Sequence, residues 1–328
     1  MQKRGLKDVK RRNRQVVLNK VMEHGGLSRI EIAHETELAA STVSTLVADL
    51  LEEGLLVEAG TVTTAGRSRT ELTINPGAGS IPVIEVNRRD VCVTCFNMAL
   101  EPLHSAVLSK QFLSGNELLN LICDCILSWQ EAIPPIVGIG LLFQEDMRSS
   151  DFNVMYSTGF SSANISLREA LMTRFRVPVE EQYSTVYTVT DALKPESDPA
   201  ARNSAHLCVG ARVVASVFQE GKTVPIRTSF CEAFAGPLDN RGTAPQPALS
   251  QYLSQLVALL CMLFRLDTVY LSGLSPSQDG VAAELLEQLS HQLPKSQLPH
   301  IHLLRPRTRD EEAAAMAGLI RRSILMAK

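Results

Sequence analysis

The first pattern along the chain is a set of apolar positions at helical spacing. Val16, Val17, Leu18, Val21 and Met22 form one stripe, which stops at the glycine exit His24-Gly25-Gly26. Ser28 and Glu31 then give Ser-x-x-Glu, the spacing of a capping box. The pattern predicts a short helix after it that buries Ile30, Ile32 and Ala33. A turn through Glu37-Leu38-Ala39-Ala40 leads to Ser41, read as a second N-cap. Val43, Leu46, Val47, Leu50 and Leu51 make the inner stripe of the next helix, which ends at Glu53-Gly54. A hairpin follows. Residues 55–58 and 70–74 read as its strands, residues 59–69 lie between them, and Gly66-Arg67-Ser68-Arg69 sits near the tip.

Past Pro76-Gly77-Ala78-Gly79-Ser80, read as a linker, strands and helices alternate. Strands are predicted at 81–86 and 91–98, a helix at 116–129 and a strand at 136–140. A helix at 167–175, a hairpin within 206–218 and a helix at 256–264 come next, then a strand at 268–273. Helices at 284–289 and 312–324 close the chain.

Length and composition limit the classes. The 328 residues suit two or three domains. With 45% apolar and 20% charged residues, the chain is neither disordered, nor a collagen-like fibre, nor a disulfide-stapled mini-protein. A net charge of −3 argues against a nucleic-acid partner only if charge is spread evenly, and it is not. The first fourteen residues carry Lys3, Arg4, Lys7, Lys10, Arg11, Arg12 and Arg14 against Asp8 alone. A cationic arm of this sort suits phosphate contacts, although a solvated tail fits the same run. No apolar core follows the leading charges, and no long apolar run exists, so neither a signal peptide nor a membrane span is expected. The seven scattered cysteines suit a reducing cytoplasm. Cys92 and Cys95 form Cys-x-x-Cys, but on a strand they face opposite sides, which favours core packing over metal or redox work.

Two short helices joined by a tight turn, then a hairpin, read as a winged helix-turn-helix. Ser41, Thr42, Ser44 and Thr45 would project from the first turns of the reading helix toward phosphates and base edges. Arg67 on the wing suits a narrow minor groove. Arg11, Arg12 and Arg14 of the arm, Ser28 and Arg29 at the first helix, and Arg69 on the wing complete the candidate contacts to double-stranded DNA.

At these residues the chain resembles a known family. Leu27 to Ala33, Ser41-Thr42-Val43-Ser44, Leu51-Glu52-Glu53-Gly54-Leu55, Gly66-Arg67 and Leu72 to Pro76 resemble the head of ROK regulators (repressor, open reading frame, kinase). The resemblance implies an α/β fold: an N-terminal winged helix-turn-helix over residues 1–76, plus an actin-like/sugar-kinase (ribonuclease H-like) two-lobed body over 80–328. One lobe would take about 80–195 with the C-terminal helix, and the other about 200–310. The family's phosphate loop, Asp-x-Gly-Gly-Thr, is replaced by Glu85, Asn87, Arg88, Arg89 and Asp90. Where the family carries Glu-Asn-Asp with its general base, this chain has Gln182, Tyr183 and Ser184. The second phosphate loop keeps Gly210 alone, and Leu141 to Glu145 replace a Pro-Gly loop. In the zinc segment Glu232 holds the Glu position, Ala235 falls where His would be, and Asn240-Arg241-Gly242 lacks its flanking cysteines. A zinc site needs about four N or S ligands.

The resemblance therefore implies a transcriptional regulator, with repression favoured, no catalysis, and no metal or cofactor. It further implies a homodimer or homotetramer and a sugar or sugar-phosphate effector, for which Gln182, Ser184 and Glu232 are the candidate residues. Control by a protein partner, and sugar-kinase activity, stay open as alternatives.

Overall fold

The computed structural model describes residues 6–64, 67–87, 90–111, 113, 115–143, 152–157, 162–183, 199–209, 213–224, 246–274, 280–304 and 308–327. The chain divides into two compact units. One holds Met1–Leu142, Ser149–Glu181 and Met316–Lys328, and the other holds Phe143–Arg148 and Gln182–Ala315.

The first unit opens with α1 (Leu6–His24), α2 (Arg29–Thr36) and α3 (Ala40–Glu52), then β1 (Leu56–Thr64) and β2 (Arg67–Ile74). The basic segment expected as an arm is helical from Leu6 onward, because no glycine or proline interrupts it before Gly25. Val17, Leu18, Ile32, Val43, Leu50 and Leu72 form a sealed core beneath the three helices and the hairpin. Ile30 departs from expectation and is 74% exposed. Positions 30 and 32 lie about 200° apart around a helix, so one short helix cannot bury both, and Ile32 takes the inner face. The N-cap of α3 is Ala39, not Ser41. Glu37, left-handed at φ 54°, turns the chain early and starts the helix at Ala40.

The hairpin strands run further than their apolar pattern suggests. β1 and β2 stay in antiparallel register from Leu56↔Ile74 to Thr64↔Arg67, with a bulge between Glu58 and Gly60. Leu27, just ahead of α2, adds a bridge to Leu72 through two backbone hydrogen bonds. The 76–80 segment is no slack linker. Asn75 caps a 3-10 turn over Pro76–Ala78, and a Cβ at Gly79 would sit 2.5 Å from Val137.

The body of this unit is built on a five-stranded sheet of order β5-β4-β3-β6-β9. Its members are β3 (Ser80–Val86), β4 (Val91–Asn97), β5 (Pro102–Ser109), β6 (Ile139–Phe143) and β9 (Val179–Tyr183). The strand expected at 136–140 is displaced: Ile136 makes only a parallel bridge to Ser80, and β6 begins at Ile139. Helix α4 (Gly115–Ser128), the hairpin β7 (Val154–Ser157) and β8 (Ser162–Ile165), and α5 (Leu167–Phe175) complete it. Both β3 and β4 are buried along their whole length, which explains their near-continuous apolar sequence. One face is covered by residues 316–327 of α8 (Arg309–Ala327). Gly138 and Gly140 permit that approach: a Cβ at 140 would stand 2.9 Å from Met316 Cγ, and one at 138 would stand 2.6 Å from Ile320 Cγ2.

The second unit repeats the plan. Its sheet has the order β12-β11-β10-β13-β14, with β10 (Ser204–Val209), β11 (Val213–Gln219) and β12 (Lys222–Val224) antiparallel. β13 (Thr268–Ser272) and β14 (His300–Leu303) add in parallel to β10. Helices α6 (Gln246–Leu263) and α7 (Val281–Gln292) supply the crossovers, and their Leu253, Leu256 and Leu285 pack on Leu207, Val217 and Leu271. Each unit thus carries a three-stranded meander extended by crossover strands.

Candidate nucleic-acid interface

Helix α3 is amphipathic with a clean division. Val43, Leu46, Val47 and Leu50 face the core, while Ser41, Ser44, Thr45, Ala48 and Glu52 are exposed. Positions 41, 44, 45, 48 and 52 fall within about a third of the helix circumference at about 100° per residue. Thr42 is half-buried beside them. Ser44 Oγ donates to the Ala40 carbonyl at 2.9 Å, and Thr45 Oγ1 donates to that of Ser41 at 3.0 Å. Their oxygens therefore remain available as acceptors. No side chain caps the N-terminus of α3, so its first amides lack a side-chain partner from Ala39.

Behind α3 runs an ion-pair ladder that the sequence pattern did not reveal. Lys10 Nζ meets Asp49 Oδ2 at 2.7 Å, and Arg14 makes a two-pronged hydrogen-bonded pair with Glu53. Both pairs step by four residues on both helices, so one face of α1 matches the acidic end of α3. The Glu53 hydrogen bonds hold the Arg14 guanidinium above its ordinary pKa. Arg14, expected at phosphate, is thus a tie within the head. Arg11 and Arg12 are exposed on α1, and no pairing partner is seen for either among the described residues.

The other arginines also bind locally. Arg29 reaches Glu58 Oε1 at 3.3 Å, and Arg69 Nη1 donates to Glu31 Oε1 at 2.8 Å. Ser28 is buried, and its backbone N–H and hydroxyl both donate to Glu31 Oε2, at 2.9 and 2.7 Å. Those Ser28 hydrogen bonds hold the Glu31 carboxyl below its usual range, with Arg69 adding to the effect. Glu31 therefore joins the cap of α2 to the wing strand β2. Arg67 lies on β2, but its side chain is outside the described residues, as are Ala65 and Gly66 at the hairpin turn.

The kinase-like positions can be followed in part. The turn between β3 and β4 is closed by Asn87 and Asp90: Asn87 N donates to the Asp90 carbonyl at 2.9 Å and Nδ2 to Oδ1 at 3.1 Å. Arg88 and Arg89 are outside the described residues. Gln182 lies half-buried in β9, whereas Ser184, Glu232 and residues 210–212 and 225–245 are outside them. Of the effector candidates, then, only Gln182 has a described position. Among the described residues no group of three His, Cys, Asp or Glu side chains comes together as a metal set. Cys92 and Cys95 are both buried, and burial pushes the Cys95 thiol up to about 11. No described helix is long and apolar enough to cross a membrane.

No family model matches the chain. Among curated proteins, the DNA-binding transcriptional dual regulator NagC of Escherichia coli K12 is 26% identical over 174 residues, covering 52% of this chain and 43% of that protein. The xylose repressor of Caldicellulosiruptor bescii is 26% identical over 177 residues, and that of Bacillus subtilis 25% over 181. Among solved structures, a ROK family transcriptional regulator homologous to the E. coli MLC protein superposes with a TM-score of 0.67. The alignment covers 97% of both chains at 14% identity.

The chain is similar in sequence to NagC and to xylose repressors, and in fold to a ROK family regulator.

Its body also shares the fold of the ROK hexokinase from Thermus thermophilus, with a TM-score of 0.50, 14% identity and 74% of this chain covered. The match to the curated ROK-type repressors spans less than half of their length, between 43% and 46%.

Proposed function

We propose that the chain is a DNA-binding transcriptional regulator, acting as a repressor, whose kinase-like body senses a signal without catalysis. The observation that carries this reading is α3. It is a helix braced from behind by α2, α1 and β1, and the first turns of its outward arc carry short hydroxyl and methyl side chains. That is a surface shaped to enter a major groove without steric bulk. Likeness to NagC and to xylose repressors supports the same reading. Arg11 and Arg12, free of intramolecular pairs among the described residues, serve as phosphate contacts, with the Arg67 wing beside them. The domain boundary falls near residues 76–80, and a symmetric dimer would present two α3 helices about one helical turn apart.

The body favours sensing over phosphoryl transfer. A glycine-rich loop lets backbone amides surround phosphate. In this chain, the first such position is a turn closed by side chains, Asn87 on Asp90. A sugar or sugar phosphate is the effector we favour, since the relatives carry sugar names and the body shares a sugar-kinase fold.

The test is fluorescence anisotropy with duplexes enriched by the full chain from a random library. Arg67→Ala is expected to weaken binding about tenfold or more, in line with about 1–3 kcal/mol for a good contact. Failure to enrich any duplex overturns the reading. In parallel, ATP with a hexose panel is expected to yield no stoichiometric ADP, and its formation would overturn the non-catalytic half.

A further inference from the structure

We infer that the outward arc of α3 reads its half-site through thymine C5-methyl groups, and that this helix has no bidentate reader of guanine. The inference rests on the DNA-binding reading above and names the base class that the same surface takes. In the major groove, guanine is read by Arg or Lys on O6 and N7, and adenine by the carboxamide of Asn or Gln. Thymine is read by apolar contact with Ala, the Thr methyl or Phe. Helix α3, from Ala40 to Glu52, contains no Arg, Lys, Asn, Gln or His.

Four neighbouring cations are already engaged. Arg14, Arg29 and Arg69 are held by Glu53, Glu58 and Glu31, and Lys10 by Asp49. The hydroxyl protons of Ser44 and Thr45 go to backbone carbonyls one turn back, so these side chains present lone pairs outward. A lone pair cannot pair with guanine O6 or N7, which are themselves acceptors. It can accept from the N6 amino group of adenine, the partner of thymine, or from N4 of cytosine. Glu52 could likewise accept from cytosine. However, it sits eleven residues after Ser41, about 16 Å along the axis, beyond the N-terminal turns that meet base edges. Besides the hydroxyl of Ser41 in the first turn, what remains on the arc is apolar: exposed Ala40 and Ala48 and the methyl of Thr45. The base group that these methyls distinguish is the thymine methyl.

The experiment uses the full chain and the highest-ranked duplex it enriches from a random library. Each thymine is replaced in turn by deoxyuridine, which lacks only the methyl, and each guanine by 7-deazaguanine, which lacks the N7 acceptor. Deoxyuridine at two or more positions of each half-site is expected to weaken binding about fourfold apiece, the value of one buried methyl group. The 7-deaza replacements in the same half-site should leave affinity within about twofold. Thr45→Ser keeps the hydroxyl and the fold, and it should abolish the deoxyuridine penalty at one position. Ala48→Gly should do so at a neighbouring one. A bound duplex that is indifferent to deoxyuridine overturns the inference while leaving DNA binding intact. So does a penalty that Thr45→Ser and Ala48→Gly both fail to move. No enriched duplex at all overturns both.

Discussion

His206 offers the most quantitative test of the second unit. It lies mid-strand in β10, opposite Ser216 on β11 and Tyr270 on β13, with 1% of its surface exposed. Its Nε2 is 2.8 Å from Ser272 Oγ, while Nδ1 has no hydrogen-bond partner. A bare acceptor costs less than a buried orphan N–H, so the neutral tautomer with Nε2–H donating to Ser272 is the one that fits. Desolvation then pushes the imidazole pKa down to about 4 from an ordinary 6.5. Between those values the unfolded chain binds a proton that the native chain refuses. Stability is therefore full above about pH 6.5, falls as pH drops, and levels off below about pH 4. At about 1.4 kcal/mol per unit, the loss is about 2 kcal/mol by pH 5 and about 3 kcal/mol at the floor. Urea unfolding followed by circular dichroism, at about pH 7 and about pH 5, checks it against His206→Gln. The variant is expected to lose about 1–2 kcal/mol near neutrality, where its amide must rebuild the Ser272 bond. It should then show about 2 kcal/mol less acid sensitivity than the native chain. Equal acid sensitivity in the two proteins would refute the assignment.

Two further outcomes follow from contacts in the first unit. Arg12→Ala should lower the slope of log affinity against log salt by about one, whereas Arg14→Ala should leave the slope unchanged, because Arg14 is spent on Glu53; anisotropy titrations in a salt series decide between them. Gly140→Ala places a Cβ 2.9 Å from Met316 Cγ and 3.0 Å from Ile320 Cδ1, so it should cost about 1–3 kcal/mol of overpacking and lower the thermal midpoint, with Met316→Ala restoring part of the loss in the double variant.

The readable parts were those where a short-range period meets a sealed core. The inner stripe of α3 was visible because Val43, Leu46, Val47 and Leu50 recur at helical spacing and bury completely. The Ser28–Glu31 box was visible because capping needs only residues three apart. Ile30 was misread because apolarity was counted without its angle about the helix axis. Edge strands escaped notice: β5 alternates only loosely between exposed and half-buried positions, and β14 is four residues long with two histidines. The ion-pair ladder was hidden for a different reason. Its partners lie 39 residues apart in both pairs, and charge order alone does not tell which acid a cation will meet. Of the effector candidates, Gln182 alone has a described position, half-buried in β9.

That ladder changes what the basic N-terminus means. Seven cations in the first fourteen residues look like one electrostatic device, but the fold divides them. Lys10 and Arg14 neutralise Asp49 and Glu53 at the end of α3, which has no cation of its own. Left unpaired, those carboxylates would stand beside α3 and repel the phosphates flanking any groove it entered, an interaction felt over a Debye length of about 8 Å. Pairing removes that repulsion and leaves Arg11 and Arg12 on the exposed side of α1. On the proposed DNA-binding reading, attraction to the backbone and discrimination among bases sit on separate helices, α1 with its exposed arginines and α3 without a cation. Substitutions on α1 should therefore move affinity for all sequences together, and those on α3 should reorder sequences at nearly constant salt dependence.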